Sequence, residues 1–255
     1  MEVDRWSGPA RVLRAAALMC LALAVCLWGG PRPLDLASSG PLSLEEDERP
    51  NTPEKLVALT FDDGPRRSTT SALLDGLEER GAKATFFLIG AQVEANQDLV
   101  LRMAQGGHQV GIHTFDHVTV TGLSRQDYDQ QVERTRRLLV SILGEMEFWL
   151  RPPYGLLDEN ALAWADCPVV LWSVDPEDWK DDQVGRVVDH VLTHVSDGDI
   201  ILMHDFFPSS VEAALIIVDA LQQEGYRFVT VQELLEARGI SPETGVAYRQ
   251  APPVS

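Results

Sequence analysis

Three features of this 255-residue sequence point to an α/β domain whose parallel strands form a compact or incomplete (β/α) barrel. Seven short apolar runs alternate with stretches of helical period between residues 55 and 238, the signature of strands joined by outer helices. Seven strands in that length suit a small barrel better than a full eight-fold one, with a doubly wound open sheet as the alternative. Five of the runs lead, at their C-terminal ends, into clusters of polar residues. In a parallel barrel those ends open on one face, where βα loops build active sites.

The elements justify themselves in order. Residues 1–30 carry Arg5, Arg11 and Arg14, followed by an uncharged apolar stretch over 15–30, the layout of a secretory signal or signal-anchor helix. The stretch is a little short for a span, which takes about 20 residues. No strong cleavage site follows, Ala37-Ser38-Ser39 being a poor one, so retained anchoring is favoured over cleavage. Basic residues before the stretch and few after it put the downstream domain outside the cytoplasm. Residues 31–54, rich in proline, serine and acidic groups, read as a flexible linker.

The domain proper spans 55–240. The apolar run 56–61 continues until Asp62-Asp63 and the Gly64-Pro65 turn stop it, so it reads as a buried strand. Further strands are predicted at 84–89, 109–112, 148–150, 169–172, 200–203 and 227–229. Helices are predicted at 70–80, 98–105, 124–143, 159–165, 184–195, 210–224 and 231–238. Residues 241–255, with Pro242, Gly245, Pro252 and Pro253 and no periodicity, are expected to be a loose tail.

A net charge of −18 argues against nucleic acid or an anionic membrane surface as the main partner. Of three cysteines, Cys20 and Cys26 lie in the apolar segment, which leaves Cys167 alone and no disulfide within the domain.

The polar clusters carry the chemistry. His113 and His117 have the spacing that lets two imidazoles share one side of a helical turn and grip one cation. A carboxylate from Asp62-Asp63 completes a two-histidine, one-carboxylate set with an open position, the pattern of a catalytic divalent metal. The other carboxylate is then free to act as general base, and spacing does not choose between the two neighbours. His204, on another strand, suits protonation of a leaving group. Arg151 is the natural partner of one acid through a bidentate contact. Asp175 and Asp178 are placed to orient a histidine or an arginine, and Tyr154 and Trp179 to wall a sugar site. His190 and His194 repeat the histidine spacing inside a predicted helix that precedes a strand, so they read as surface residues.

Taken together, five ordered motifs over residues 55–238 resemble the polysaccharide deacetylases of the NodB-homology type, carbohydrate esterase family four. They are Thr60-Phe-Asp-Asp-Gly-Pro65, His113-Thr-Phe-Asp-His117, Arg151-Pro-Pro-Tyr-Gly155, Asp175-Pro-Glu-Asp-Trp179 and Leu202-Met-His204. The resemblance implies a distorted (β/α)7 barrel and a divalent metal, zinc first, with cobalt, nickel and manganese as alternatives. It makes Asp62 the base, with Arg151 holding it, and Asp63, His113 and His117 the ligands. It gives the Tyr154 N–H to the oxyanion, Asp178 to tuning the acid His204, Trp179 to the pocket wall and Leu202 to the acetyl pocket. Val118, Ile112 and Pro176 depart from the family pattern and bear on loop shape and substrate preference, since none removes a ligand or proton carrier. The expected function is N-deacetylation of N-acetylglucosamine in an extracellular glycan by a monomer, with cell-wall peptidoglycan first. Chito-oligosaccharide or an O-acetyl ester of xylan are alternatives, and a non-catalytic glycan-binding module is the rival from another class.

Overall fold

In the computed structural model, residues 54–253 are described; the segments expected at 1–30 and up to residue 53 of the linker lie outside them. The chain runs β1 (Lys55–Asp62), α1 (Thr70–Glu79), β2 (Thr85–Leu88), α2 (Gly90–Ala95), α3 (Gln97–Gln105), β3 (Gln109–Ile112) and α4 (Arg125–Leu143). It continues through α5 (Glu159–Trp164), β4 (Val169–Val170), α6 (Val184–His194), β5 (Ile200–His204), α7 (Pro208–Gln223), β6 (Tyr226–Phe228), α8 (Val231–Ala237) and β7 (Ala247–Tyr248). Among the described residues no helix is long and apolar enough to cross a membrane.

The sheet is parallel, in the order β3-β2-β1-β5, and β6 pairs with the start of β1. Isolated parallel bridges carry the strand sequence further, from Ile112 to Leu150, from Leu150 to Val169 and from Val174 to Ile201. Continuous ladders therefore do not close the barrel; single-residue bridges span the gap. This is the parallel α/β architecture expected, and all seven expected helices are present.

β1 shows how the sequence divides its two faces. Val57, Leu59 and Phe61 join the outer core, with Leu73 and Leu77 of α1 and Ile217 and Leu221 of α7. The alternate set, Leu56 and Ala58, joins an inner cluster with Phe87, Trp149, Val170 and Leu234. Because side chains alternate along a strand, Thr60 and Asp62 continue that inner set. The interior thus turns polar only at the C-terminal end of the strand. Asp62 has nowhere else to point.

Three local expectations change. The run 148–150 forms single-residue bridges at Leu150 rather than a strand, because Pro152 and Pro153 follow and offer no N–H groups to extend a ladder. Helix α2 was not anticipated; its first two N–H groups donate to the carbonyls of Thr114 and Phe115, both at 3.0 Å. Gly90 permits that approach, since a Cβ there would lie 2.4 Å from the Phe115 ring. Finally, residues 241–255 are not a loose tail throughout. β7 pairs with β4 in parallel, Gln250 bridges Asp199, and Ala251 is fully buried.

Candidate active site

The inner acid of β1 is met by a fully buried arginine. Arg151 Nη1 donates to Asp62 Oδ1 at 2.8 Å and to Thr60 Oγ1 at 2.7 Å. Its Nη2 and Nε donate to the carbonyls of Leu171 and Val170, and its guanidinium lies over the Phe87 ring. The contact with Asp62 is through one nitrogen, not the bidentate fork expected, because Thr60 and the carbonyls take the other donors. Burial pulls the guanidinium downward from its ordinary value, and Asp62 opposes that pull. Asp62 is only 3% exposed, so removing its partner would strand a buried charge.

The histidines converge on the next residue. His113 Nε2 lies 3.5 Å, and His117 Nε2 3.2 Å, from Asp63 Oδ1. That oxygen is buried and has no hydrogen-bond partner. Ligand atoms of Asp63, His113 and His117 all lie within 4.8 Å of one another, and among the described residues this is the one such group. A buried carboxylate oxygen without a donor is costly unless a cation answers it. The donor set, two imidazoles and one carboxylate, fits a divalent metal with an open position. His113 Nδ1 lies 2.7 Å from the Arg151 carbonyl, a contact that requires Nδ1–H and leaves the Nε2 lone pair toward Asp63. Burial pushes the His113 imidazole below its usual range, against Asp62 and Asp63, which favours the neutral, metal-binding form.

The helical turn inferred from the histidine spacing is absent; residues 113–117 are a loop. Convergence comes instead from left-handed backbone at Thr114 (φ 59°) and His117 (φ 57°). Gln131 Oε1 on α4 accepts from the N–H groups of Phe115 and Asp116, which pins that loop from its other side. Among the described residues, the non-glycine residues of positive φ are Asp63, Thr114, His117, Tyr154 and Glu177. All five lie in the loops that carry the polar motifs. Such conformations cost about 1–3 kcal/mol each and persist where their surroundings fix them, above all at functional sites.

On the opposite side His204, the last residue of β5, meets Asp178. His204 Nδ1 is 2.8 Å from Asp178 Oδ1, and the His204 N–H donates to Oδ2 at 2.9 Å. Burial opposes the imidazolium, but Asp178, with Asp62 and Asp63 beyond, outweighs it and raises the pKa to about 9. A cation bound at Asp63 would pull that value back down. Asp62, Asp63, His113, His117, Tyr154, Trp179, Leu202 and His204 line one cavity of about 420 Å³ together with Trp172 and Asp175. Every residue singled out for chemistry thus faces this cavity or, as Arg151 and Asp178 do, braces one that does. Tyr154 and Trp179 are 65% and 53% exposed at its mouth, whereas Leu202 is buried at its wall. His190 and His194 stack on each other on α6, outside it.

Two contributors were missed. Thr60 links Arg151 to the Ile201 carbonyl at 2.6 Å, and its signal was a lone hydroxyl in the same alternate set as Asp62. Trp172 lines the cavity, and only its place at the end of a predicted strand pointed to it.

The profile of the polysaccharide deacetylase family matches residues 49–167. The chain is 38% identical over 197 residues to PdaC, a peptidoglycan-N-acetylmuramic acid deacetylase of Bacillus subtilis, covering 77% of this chain and 42% of the relative. It is 37% identical over 227 residues to PgdA, a peptidoglycan-N-acetylglucosamine deacetylase of Listeria monocytogenes, covering 84% and 49%. The chain therefore spans less than half the length of these two relatives. The solved structure of PdaC from Bacillus subtilis superposes with a TM-score of 0.71 at 38% identity, covering 73% of this chain and 93% of that one.

Proposed function

The chain belongs to the polysaccharide deacetylase family, and we propose that it is a metal-dependent hydrolase that removes N-acetyl groups from N-acetylglucosamine in cell-wall peptidoglycan. One observation carries this reading: the buried, unpartnered Asp63 Oδ1 set between two imidazole nitrogens, beside an acid braced by Arg151 and a histidine paired with Asp178. Asp63, His113 and His117 would hold the metal, zinc first, with cobalt, nickel or manganese accepted by the same donors. When bound, such an ion polarises a carbonyl and lowers the pKa of a water.

The chain's own residues divide the remaining work. Arg151 occupies Asp62 Oδ1, which leaves Oδ2 to take the proton of the attacking water. The Tyr154 N–H is assigned to the oxyanion that develops on the acetyl oxygen; a donor of this kind contributes about 3–4 kcal/mol. Asp178 fixes His204 with Nδ1–H inward, so Nε2–H is the proton given to the departing amine. Leu202 bounds the acetyl methyl, and Trp179 the sugar.

Peptidoglycan is favoured because both relatives described above act on it. Chito-oligosaccharide and acetylated xylan use the same chemistry and remain the comparison substrates. A non-catalytic glycan-binding module would lack a base, an acid or a ligand, and this chain has all of them. The enzyme would act outside the cytoplasm as a monomer, held at the membrane by residues 1–30 or released by cleavage. Metal analysis of a His113→Ala, His117→Ala variant tests the centre. The expected result is loss of bound metal with the fold retained by circular dichroism; undiminished metal content contradicts the assignment.

A further inference from the structure

β5 ends at His204, and the next residue turns inward. Asp205 is fully buried; its carboxylate accepts from Thr70 Oγ1, and its carbonyl accepts from Thr69 Oγ1. That anchoring presents the two following residues, Phe206 and Phe207, toward the surface, where Phe207 is 39% exposed. Two adjacent phenylalanines left partly in water forgo much of the stabilisation that burial would give. They are also held. The Arg66 guanidinium lies 3.2 Å from the Phe206 ring centroid, and the two rings meet edge to face at 4.8 Å.

With Asp63, Trp179 and His204, these rings line a second cavity of about 200 Å³. Asp63, Trp179 and His204 also line the reactive cavity, so the two spaces adjoin, with Trp179 on the wall of both. A polymeric substrate must leave the reactive cavity along some path, and this one is walled by aromatic faces. Of the described residues that line it, Asp63 and His204 are the titratable ones, and the proposed reaction already uses both. The ligand it fits is therefore neutral and flat-faced, with an apolar side for the rings and hydroxyls for water.

We propose that Phe206 and Phe207 form a sugar-binding subsite for the residue next to the acetylated one in the same glycan chain. The inference rests on the deacetylase reading and adds a specificity element to it. The subsite makes the enzyme prefer longer chains, because only an oligomer reaches both cavities.

The test uses the full-length, metal-loaded chain with N-acetylglucosamine monomer and its dimer. In the wild type, kcat/KM is expected to be higher for the dimer. In Phe206→Ala, Phe207→Ala that dimer-to-monomer ratio should fall roughly fivefold to tenfold. Phe207→Trp alone should keep it, which separates loss of the aromatic face from loss of folding. An equal loss on both lengths, or no change in the ratio, overturns the subsite. Should the wild type deacetylate neither sugar, the chito-oligosaccharide alternative fails while the peptidoglycan reading is judged by its own test, and the subsite is judged by calorimetry of dimer binding. Equal affinity in Asp62→Asn with and without Phe207→Ala then overturns it; weaker binding without the ring supports it.

Discussion

Asp62 and Asp63 are neighbours in sequence and differ in everything that matters for chemistry. Asp62 continues the inward set of β1 and is tied to Arg151, whereas Asp63 leaves the strand with φ 72° and turns its oxygen to the histidines. The proposed division of base and ligand was not legible from spacing, because a strand end does not reveal which neighbour takes the left-handed turn. At this scale the acid makes a pH prediction. His204 is raised above its unfolded value, so its imidazolium is favoured in the fold below pH 6.5, and that advantage is lost as pH rises through about 9. The proton proposed for the departing amine is lost over the same range, and at lower pH once a cation sits at Asp63. Activity should therefore decline on the alkaline side, and Asp178→Asn should shift that decline to lower pH in a pH–rate profile. An unmoved alkaline limb would remove Asp178 from this role. Arg151→Met leaves Asp62 buried without its partner and should cost about 3–5 kcal/mol in urea unfolding.

Single elements explain why some of the fold could be read and some could not. β1 was legible because an unbroken apolar run meets two acids and a Gly-Pro turn. α2 was not, since Gly-Ala-Gln-Val-Glu-Ala is too short for a period and begins on the poorest ordinary helix former. Yet its first N–H groups hold the histidine loop. β7 is two residues long and is fixed only by a partner nearly eighty positions earlier, which no local pattern can announce. Removing residues 246–255 should uncover the Val169–Val170 edge and the socket of Ala251. A loss of about 2 kcal/mol is expected, read as a Tm lower by roughly 4–8 °C. An unchanged Tm would show that the segment merely lies on the surface.

Across the whole domain, five loops from one end of a parallel sheet converge on a single cavity. The order of the polar clusters along the chain was enough to anticipate that convergence, because parallel topology forces C-terminal strand ends together. What the order lacked was geometry: the left-handed residues that bring Asp63 and His117 together, and the single-nitrogen contact of Arg151. The central claim is that these parts together hydrolyse the N-acetyl group of a cell-wall sugar. It is tested most directly by mass spectrometry of peptidoglycan fragments after incubation with the metal-loaded full chain and with Asp62→Asn. Glucosamine should replace N-acetylglucosamine with the wild type, while Asp62→Asn binds metal normally and turns over at least a hundredfold more slowly, on the order of a lost general base. Fully acetylated fragments with the metal-loaded wild type, or near-normal turnover by Asp62→Asn, would contradict it.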